Sequence, residues 1–350
     1  MTSDPSSNTG DATVGTTPHP DTPDTPATAE AGAQRIAVVL MAYGTPRSRD
    51  EILPYYTDIR RGRAPSPEQL ADLTARYEAI GGVSPLTQLT EAQRDALQAA
   101  LDALAPGTYE VLLGLKHADP TIEHAVDEIA ARGFRRAVGL VLAPHYSSYS
   151  IGQYLGRTRD AAEPHGMAVN GVDSWAVEPA FVDFIATDLA RRLTGMPDRT
   201  RVLFTAHSLP ERIIAAGDPY PDELRATAEA VAGRLGLTEG RDWQIAWQSA
   251  GRTPEPWIGP DVLDVIDELA GASPVGAERD ADGVIVSAVG FVADHLEVLY
   301  DLDIEARQRA EGLGLEFGRT ACVNDDAAVI GALARRVHAA AQAAEEPASS

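Results

Sequence analysis

Gly290-Phe-Val-Ala-Asp-His-Leu-Glu-Val-Leu-Tyr300 follows directly on the apolar runs Val284-Ile-Val286 and Ala288-Val289. A buried strand running into an acid, an imidazole and a second acid within four positions delivers proton-handling and metal-binding groups to a sheet edge. A second run, Val202-Leu-Phe204, leads through Thr205-Ala-His-Ser-Leu-Pro210 to another imidazole, His207. Two strand ends carrying such groups predict an α/β protein with a site shared along the carboxyl edge of its sheet.

Outward from these stretches, strand and helix alternate. Ile36-Ala-Val-Val-Leu-Met41, Val111-Leu-Leu113 and Val138-Gly-Leu-Val-Leu142 read as strands of a first lobe. Ser66-Pro-Glu-Gln69 opens a helix with a hydroxyl cap, proline at the first helical position and Gln three residues on, and Gly81-Gly82 ends it. Thr90 predicts the cap of the next helix, Asp119-Pro120 the start of another, and Gly133 its stop. In the second half, helices are predicted over 181–193, 224–235, 262–269, 294–311 and 327–337, with strands at 202–204, 243–247 and 284–289 and an exposed loop at 272–283. Apolar strands separated by amphipathic helices imply parallel sheets covered on both faces. The expected organisation is therefore two Rossmann-like lobes, 34–170 and 171–340, dividing between Gly166 and Val177. Residues 1–33, built from Ser, Thr, Pro, Asp, Gly and Ala without an aromatic, predict a disordered tail, and 341–350 a flexible end.

The net charge of −23 argues against a general nucleic-acid or anionic-membrane binder, so an anionic ligand needs a local basic patch. There is no run suited to a membrane span and no basic, apolar secretion leader; with Cys322 as the lone cysteine, the expectation is a cytoplasmic protein. Cys322 reads as a packed side chain.

Asp294 and Glu297 have the spacing of a capping box, a reading that leaves His295 unexplained. Arg60-Arg61-Gly62-Arg63 is the dense basic group of the first lobe, either a solvated helix end or a clamp for carboxylates. Ser84, in Gly81-Gly-Val-Ser-Pro85, stands in a tight turn from which a hydroxyl can donate to the same ligand. Tyr43, in Met41-Ala-Tyr-Gly-Thr-Pro46, is either a core aromatic or a phenol offered to a planar ligand. No Gly-x-Gly-x-x-Gly, phosphate-binding loop, Gly-x-Ser-x-Gly or His-Glu-x-x-His occurs, so the sheet lacks the dinucleotide, nucleotide, hydrolase and zinc-protease signatures. From residues alone the reading is a two-lobed α/β enzyme or binding protein for an anionic, metallated ligand.

Ala206-His-Ser-Leu-Pro210, the segment Val289 to Tyr300, Gly81-Gly-Val-Ser-Pro85 and Leu142-Ala-Pro-His-Tyr-Ser147 together resemble the ferrochelatase family over residues 35–337. The resemblance implies a chelatase-like fold and a lyase-type enzyme that inserts ferrous iron into a porphyrin without an organic cofactor. His207 is then similar to the family's active-site histidine and Glu297 to its paired acid, with Asp294 and His295 in support. Met41 to Pro46 and Ile59-Arg-Arg-Gly-Arg63 are similar to the bacterial branch that uses coproporphyrin III in haem biosynthesis. In that branch Tyr43 approaches the iron from the face opposite His207, and Arg60, Arg61, Ser84 and Tyr146 hold the porphyrin. The alternatives are a protoporphyrin IX ferrochelatase, a chelatase for another tetrapyrrole such as sirohydrochlorin, and a non-catalytic porphyrin carrier. Some relatives hold an iron–sulfur cluster; a lone Cys322 implies none here. Transient contact with neighbouring haem-pathway enzymes is a further expectation. Should the Asp294–Glu297 motif serve only as a cap, Glu123, His145 and Tyr146 are the next candidates for a proton and iron path.

Overall fold

Apolar runs buried on both faces supply the centre of each lobe. In the computed structural model, which describes residues 35–251, 253–272 and 278–343, all seven residues of β1 (Ile36–Ala42) are buried. It is joined by β2 (Tyr109–Leu115), β3 (Arg136–Val141) and β4 (Ala168–Val172). The second sheet comprises β5 (Thr200–His207), β6 (Trp243–Gln248), β7 (Gly283–Ser287) and β8 (Glu316–Arg319). Every pairing is parallel, and the orders are β2-β1-β3-β4 and β6-β5-β7-β8. The two sheets thus repeat one topology, and each reverses winding direction beside its first strand, where a crevice opens beyond the carboxyl ends.

Between β1 and β2 run α1 (Ile52–Ile59), α2 (Pro67–Ala79) and α3 (Leu86–Leu104). Helix α4 (Ile122–Ala131) links β2 to β3, and α5 (Ile151–Ala162) links β3 to β4. Helix α6 (Pro179–Leu193) enters the second lobe; α7 (Glu211–Ala215) and α8 (Tyr220–Leu235) precede β6, and α9 (Val262–Leu269) follows it. After β7 come α10 (Leu296–Leu299), a π-helical segment (Asp301–Ala306) and α11 (Arg307–Gly312), and α12 (Ala327–Ala343) follows β8.

The local chemistry is legible. Ser66 and Gln69 form the full capping box of α2. Gly81 and Gly82 turn the chain with φ of 105° each, and Gly133 follows α4 with φ of 84°. Two expected starts move. Helix α3 begins at Leu86, where the Leu86 N–H donates to Ser84 Oγ, so Thr90 is interior and its hydroxyl donates back to Leu86 O at 2.7 Å. Helix α4 is capped by Thr121, one residue beyond Pro120. Helix α12, grouped by sequence with the second lobe, packs on α3 and the first sheet, where its Ala340 carbonyl accepts from Asn170 at 2.9 Å. Of the two terminal expectations, 1–33 lies outside the described residues; 341–343 complete α12, and the rest of 341–350 lies outside them. In the expected 272–283 loop, 273–277 lie outside, Ala281 is buried and Gly283 begins β7.

Candidate active site

β5 ends at His207, and the segment after β7 is laid against it. Gly290 makes the approach possible: a Cβ there would stand 2.4 Å from Ala206 Cβ and 2.7 Å from Ala206 Cα. The Gly290 N–H donates to Thr205 O at 3.0 Å. This close packing carries the 290–297 segment past His207 and turns Glu297 toward it.

Two imidazoles then face one carboxylate. His207 Nδ1 lies against the Ser208 carbonyl, and His295 Nδ1 against the Ala293 carbonyl at 3.1 Å. A carbonyl only accepts, so each Nδ1 carries a proton and each Nε2 is left to the cleft. His207 Nε2 is 3.9 Å from Glu297 Oε2, and His295 Nε2 is 3.8 Å from the same oxygen. The Tyr220 hydroxyl donates to the His207 carbonyl at 3.2 Å, and Gln248 Nε2 donates to the Glu297 carbonyl at 3.3 Å. Burial pushes the Glu297 carboxyl upward, but His207, His295 and Arg76 outweigh it and hold the group below its ordinary value. An ionised acid beside an imidazole can relay a proton or hold a divalent metal, and the pair stays reachable because both side chains are about a third exposed.

Asp294 does not cap. The N-cap of α10 is His295, which makes no side-chain cap bond. Asp294 is held instead by Arg319 Nη2 at 3.1 Å and Asn324 Nδ2 at 3.0 Å. The capping-box reading is thereby corrected: stronger charge-assisted partners take the carboxylate. The single helix predicted over 294–311 is also divided, with the Glu305 N–H reaching Tyr300 O at 2.9 Å in the π-helical segment.

The opposite wall comes from the first lobe. Tyr43 follows β1, is 42 % exposed and packs on His117 with ring centroids 4.6 Å apart. Burial of its hydroxyl, followed by the charge of Glu297, raises its pKa and keeps the phenol neutral. Arg60 lies over the Tyr56 ring and donates to Arg63 O, while Arg61 and Arg63 are exposed. Ser84 is buried; its oxygen accepts from Leu86 N–H, leaving the O–H to donate. The Tyr146 N–H donates to Glu223, and its hydroxyl lies against Gly152. Of the reserve candidates, Glu123 is paired twice with Arg157 at 2.8 Å, and burial pushes His145 down to about 3. Cys322 is buried beside Arg319, and burial raises its pKa.

Sequence reasoning missed a second layer. Arg76 of α2 crosses from the first lobe to Asp301 Oδ1 at 3.2 Å, with its guanidinium 4.8 Å above the Tyr300 ring. Ser249, at φ of 60°, donates to the other oxygen of Asp301. The four-residue spacing of Glu297, Asp301 and Glu305 was the available signal for an acidic row; nothing near Arg76 in sequence announces its partner. Trp257 stands 6.3 Å from the His207 ring. Among the described residues, no group of three or more His, Cys, Asp or Glu side chains converges to hold a metal.

The family model described as Ferrochelatase matches residues 35–341. A ferrochelatase of Herpetosiphon aurantiacus is 45 % identical over 305 residues, 85 % of this chain and 96 % of that protein. Coproporphyrin III ferrochelatase 1 of Bacillus anthracis is 44 % identical over 306 residues, covering 86 % and 96 %. Coproporphyrin III ferrochelatase of Geobacillus kaustophilus is 45 % identical over 303 residues, covering 85 % and 93 %. Among solved structures, the sirohydrochlorin chelatase SirB from Bacillus subtilis subspecies spizizenii in complex with cobalt shares the fold. Its TM-score is 0.55 at 10 % identity, covering 89 % of this chain and 97 % of that one. With the family match running from the first strand to the last helix, and relatives this similar over nearly their whole length, the chain belongs to the ferrochelatase family.

Proposed function

We propose that this protein is a coproporphyrin III ferrochelatase of haem biosynthesis: it inserts Fe2+ into coproporphyrin III, releases two protons and yields iron coproporphyrin III. The observation carrying this reading is the pair His207–Glu297 on the second lobe at 3.9 Å, with the Tyr43 phenol on the first. A flat ligand between the lobes meets the phenol on one face and the imidazole–carboxylate pair on the other. The names of two of the relatives above supply the substrate.

Metallation requires two pyrrole N–H protons to leave as the metal–nitrogen bonds form. His207 Nε2, turned toward the cleft, takes a proton as general base; Glu297 passes it on or draws in ferrous iron as the metal sheds water. Among the described residues no three His, Cys, Asp or Glu side chains converge on one metal position, which suits an ion in transit better than a tightly held one. Contacts to the periphery of the macrocycle supply the binding energy that distorts it and turns nitrogen lone pairs toward the metal. Arg60, Arg61, Arg76, Ser84 and Tyr146 are the groups proposed to hold propionates and ring, supplying locally the positive charge that a −23 chain lacks overall. The proposed reaction uses no organic cofactor and takes place in the cytoplasm. Among the described residues no helix is long and apolar enough to cross a membrane.

The test is anaerobic incubation with ferrous iron and coproporphyrin III, protoporphyrin IX or sirohydrochlorin in turn, following the absorption change on metallation. The expected order puts coproporphyrin III first. Faster turnover of either other tetrapyrrole contradicts the substrate assignment, and porphyrin binding without metallation identifies a carrier.

A further inference from the structure

Beyond β8 the chain passes beside the active-site segment, and one residue there takes hold of it in three places. Asn324 has φ of 47°, a left-handed conformation that Asn adopts more readily than most residues. Its N–H donates to Val292 O at 2.7 Å, its Oδ1 accepts from Asp294 N–H at 3.0 Å, and its Nδ2 donates to Asp294 Oδ2 at 3.0 Å. The amide orientation follows from chemistry, since the oxygen must face the N–H and the nitrogen the carboxylate. The remaining group, the Asn324 carbonyl, accepts from Gln93 Nε2 at 2.9 Å. Gln93 belongs to α3 of the first lobe and is 1 % exposed. Its own Oε1 is buried without a partner among the described residues, so the side chain is committed to this one bond.

We infer that Asn324 is a positioning residue for metallation: it fixes the backbone of Val292 and Asp294 and the Asp294 carboxylate, and through them the turn that presents His295 and Glu297 to His207. Arg319 holds the other Asp294 oxygen at 3.1 Å and spans Asp303 through two bonds of 2.8 Å, so the clamp extends to the π-helical segment beyond Glu297. With both Asp294 oxygens and its N–H engaged and the His295 ring bonded to Ala293 O, little torsional freedom remains before Glu297. Asn324 makes no hydrogen bond to Glu297 or His207. It acts on where they stand.

Asn324→Asp isolates the role. It keeps the shape, the left-handed preference and an oxygen facing the Asp294 N–H, but sets oxygen against the Asp294 carboxylate where the amide donated. The inference rests on the ferrochelatase reading, so parent and variant are assayed together: coproporphyrin III affinity by fluorescence, single-turnover metallation under anaerobic ferrous iron, and thermal melting. The expected result is a rate lower by about ten- to a hundred-fold with porphyrin affinity within about two-fold of the parent, the range for losing a partner of a site group. Gln93→Leu, which removes only the brace from α3, should lower the rate less and in the same direction; it carries the test should Asn324→Asp not fold. Parental rates in the folded variants, or rate losses that merely follow lost porphyrin affinity, overturn the positioning role. A parent that binds coproporphyrin III and never metallates it overturns the function as well.

Discussion

One hydrogen bond to each imidazole decides what Glu297 faces. Because His207 and His295 spend Nδ1 on backbone carbonyls, both present Nε2 to a single carboxylate. The next acid along, Asp301, behaves differently. Only 11 % of its side chain is exposed; burial, with Glu297 nearby, pushes its carboxyl up to about 6 against the pull of Ser249 and Arg76. A folded-state value raised above the unfolded one means that the folded chain keeps a proton the unfolded chain has released. That contribution is complete below about pH 4 and is lost as pH rises through about 6. Asp301→Asn removes the titration, so the parent should lose stability relative to the variant across this window by on the order of 2–3 kcal/mol, with no further change above it. Urea denaturation of both proteins at stepped pH measures the difference, and a gap constant with pH would show that Asp301 is not held as described.

At the scale of elements, the site exists because strand ends and the segments after them are packed without spare room. Gly290→Ala drives a Cβ into Ala206, whose Cα cannot move without β5. The expected cost is about 1–3 kcal/mol, with metallation falling further than the stability loss explains, because the displaced pieces carry His207 and Glu297. Parental values in urea denaturation and metallation would remove Gly290 from the account. The same packing explains what could be read in advance. β1, β3, β5 and β7 are near-continuous apolar runs, so they, His207 at the end of β5 and the positions of Tyr43, Tyr146 and Glu297 in the segments that follow the others were legible. β4 and β8 were not, because Ala168-Val-Asn-Gly-Val172 and Glu316-Phe-Gly-Arg319 are short and broken by polar residues and glycine on strands that are only partly buried. The Asp294 capping box failed for a related reason. Local spacing cannot show that Arg319 and Asn324, distant in sequence, take the carboxylate.

Across the whole molecule, two sheets of the same strand order carry no visible sequence repeat, so the likeness of the lobes lies in topology alone. Their contacts set the cleft. Asp218, ahead of α8, accepts from Ser147 Oγ and from the N–H and hydroxyl of Ser148, and Glu223 accepts from Tyr146 N–H and Ser174 Oγ. On the other side Arg76 reaches Asp301 across 225 residues of sequence, a contact no reading of local pattern could supply. These ties bring the phenol of one lobe toward the imidazole–carboxylate pair of the other, and the central claim is that this pair performs metallation. It is tested most directly by anaerobic single-turnover metallation of coproporphyrin III with ferrous iron, comparing the parent with His207→Ala and Glu297→Gln and checking each fold by thermal melting. The account predicts melting temperatures close to the parent's, His207→Ala nearly inactive and Glu297→Gln severely slowed; parental rates in either properly folded variant would contradict it.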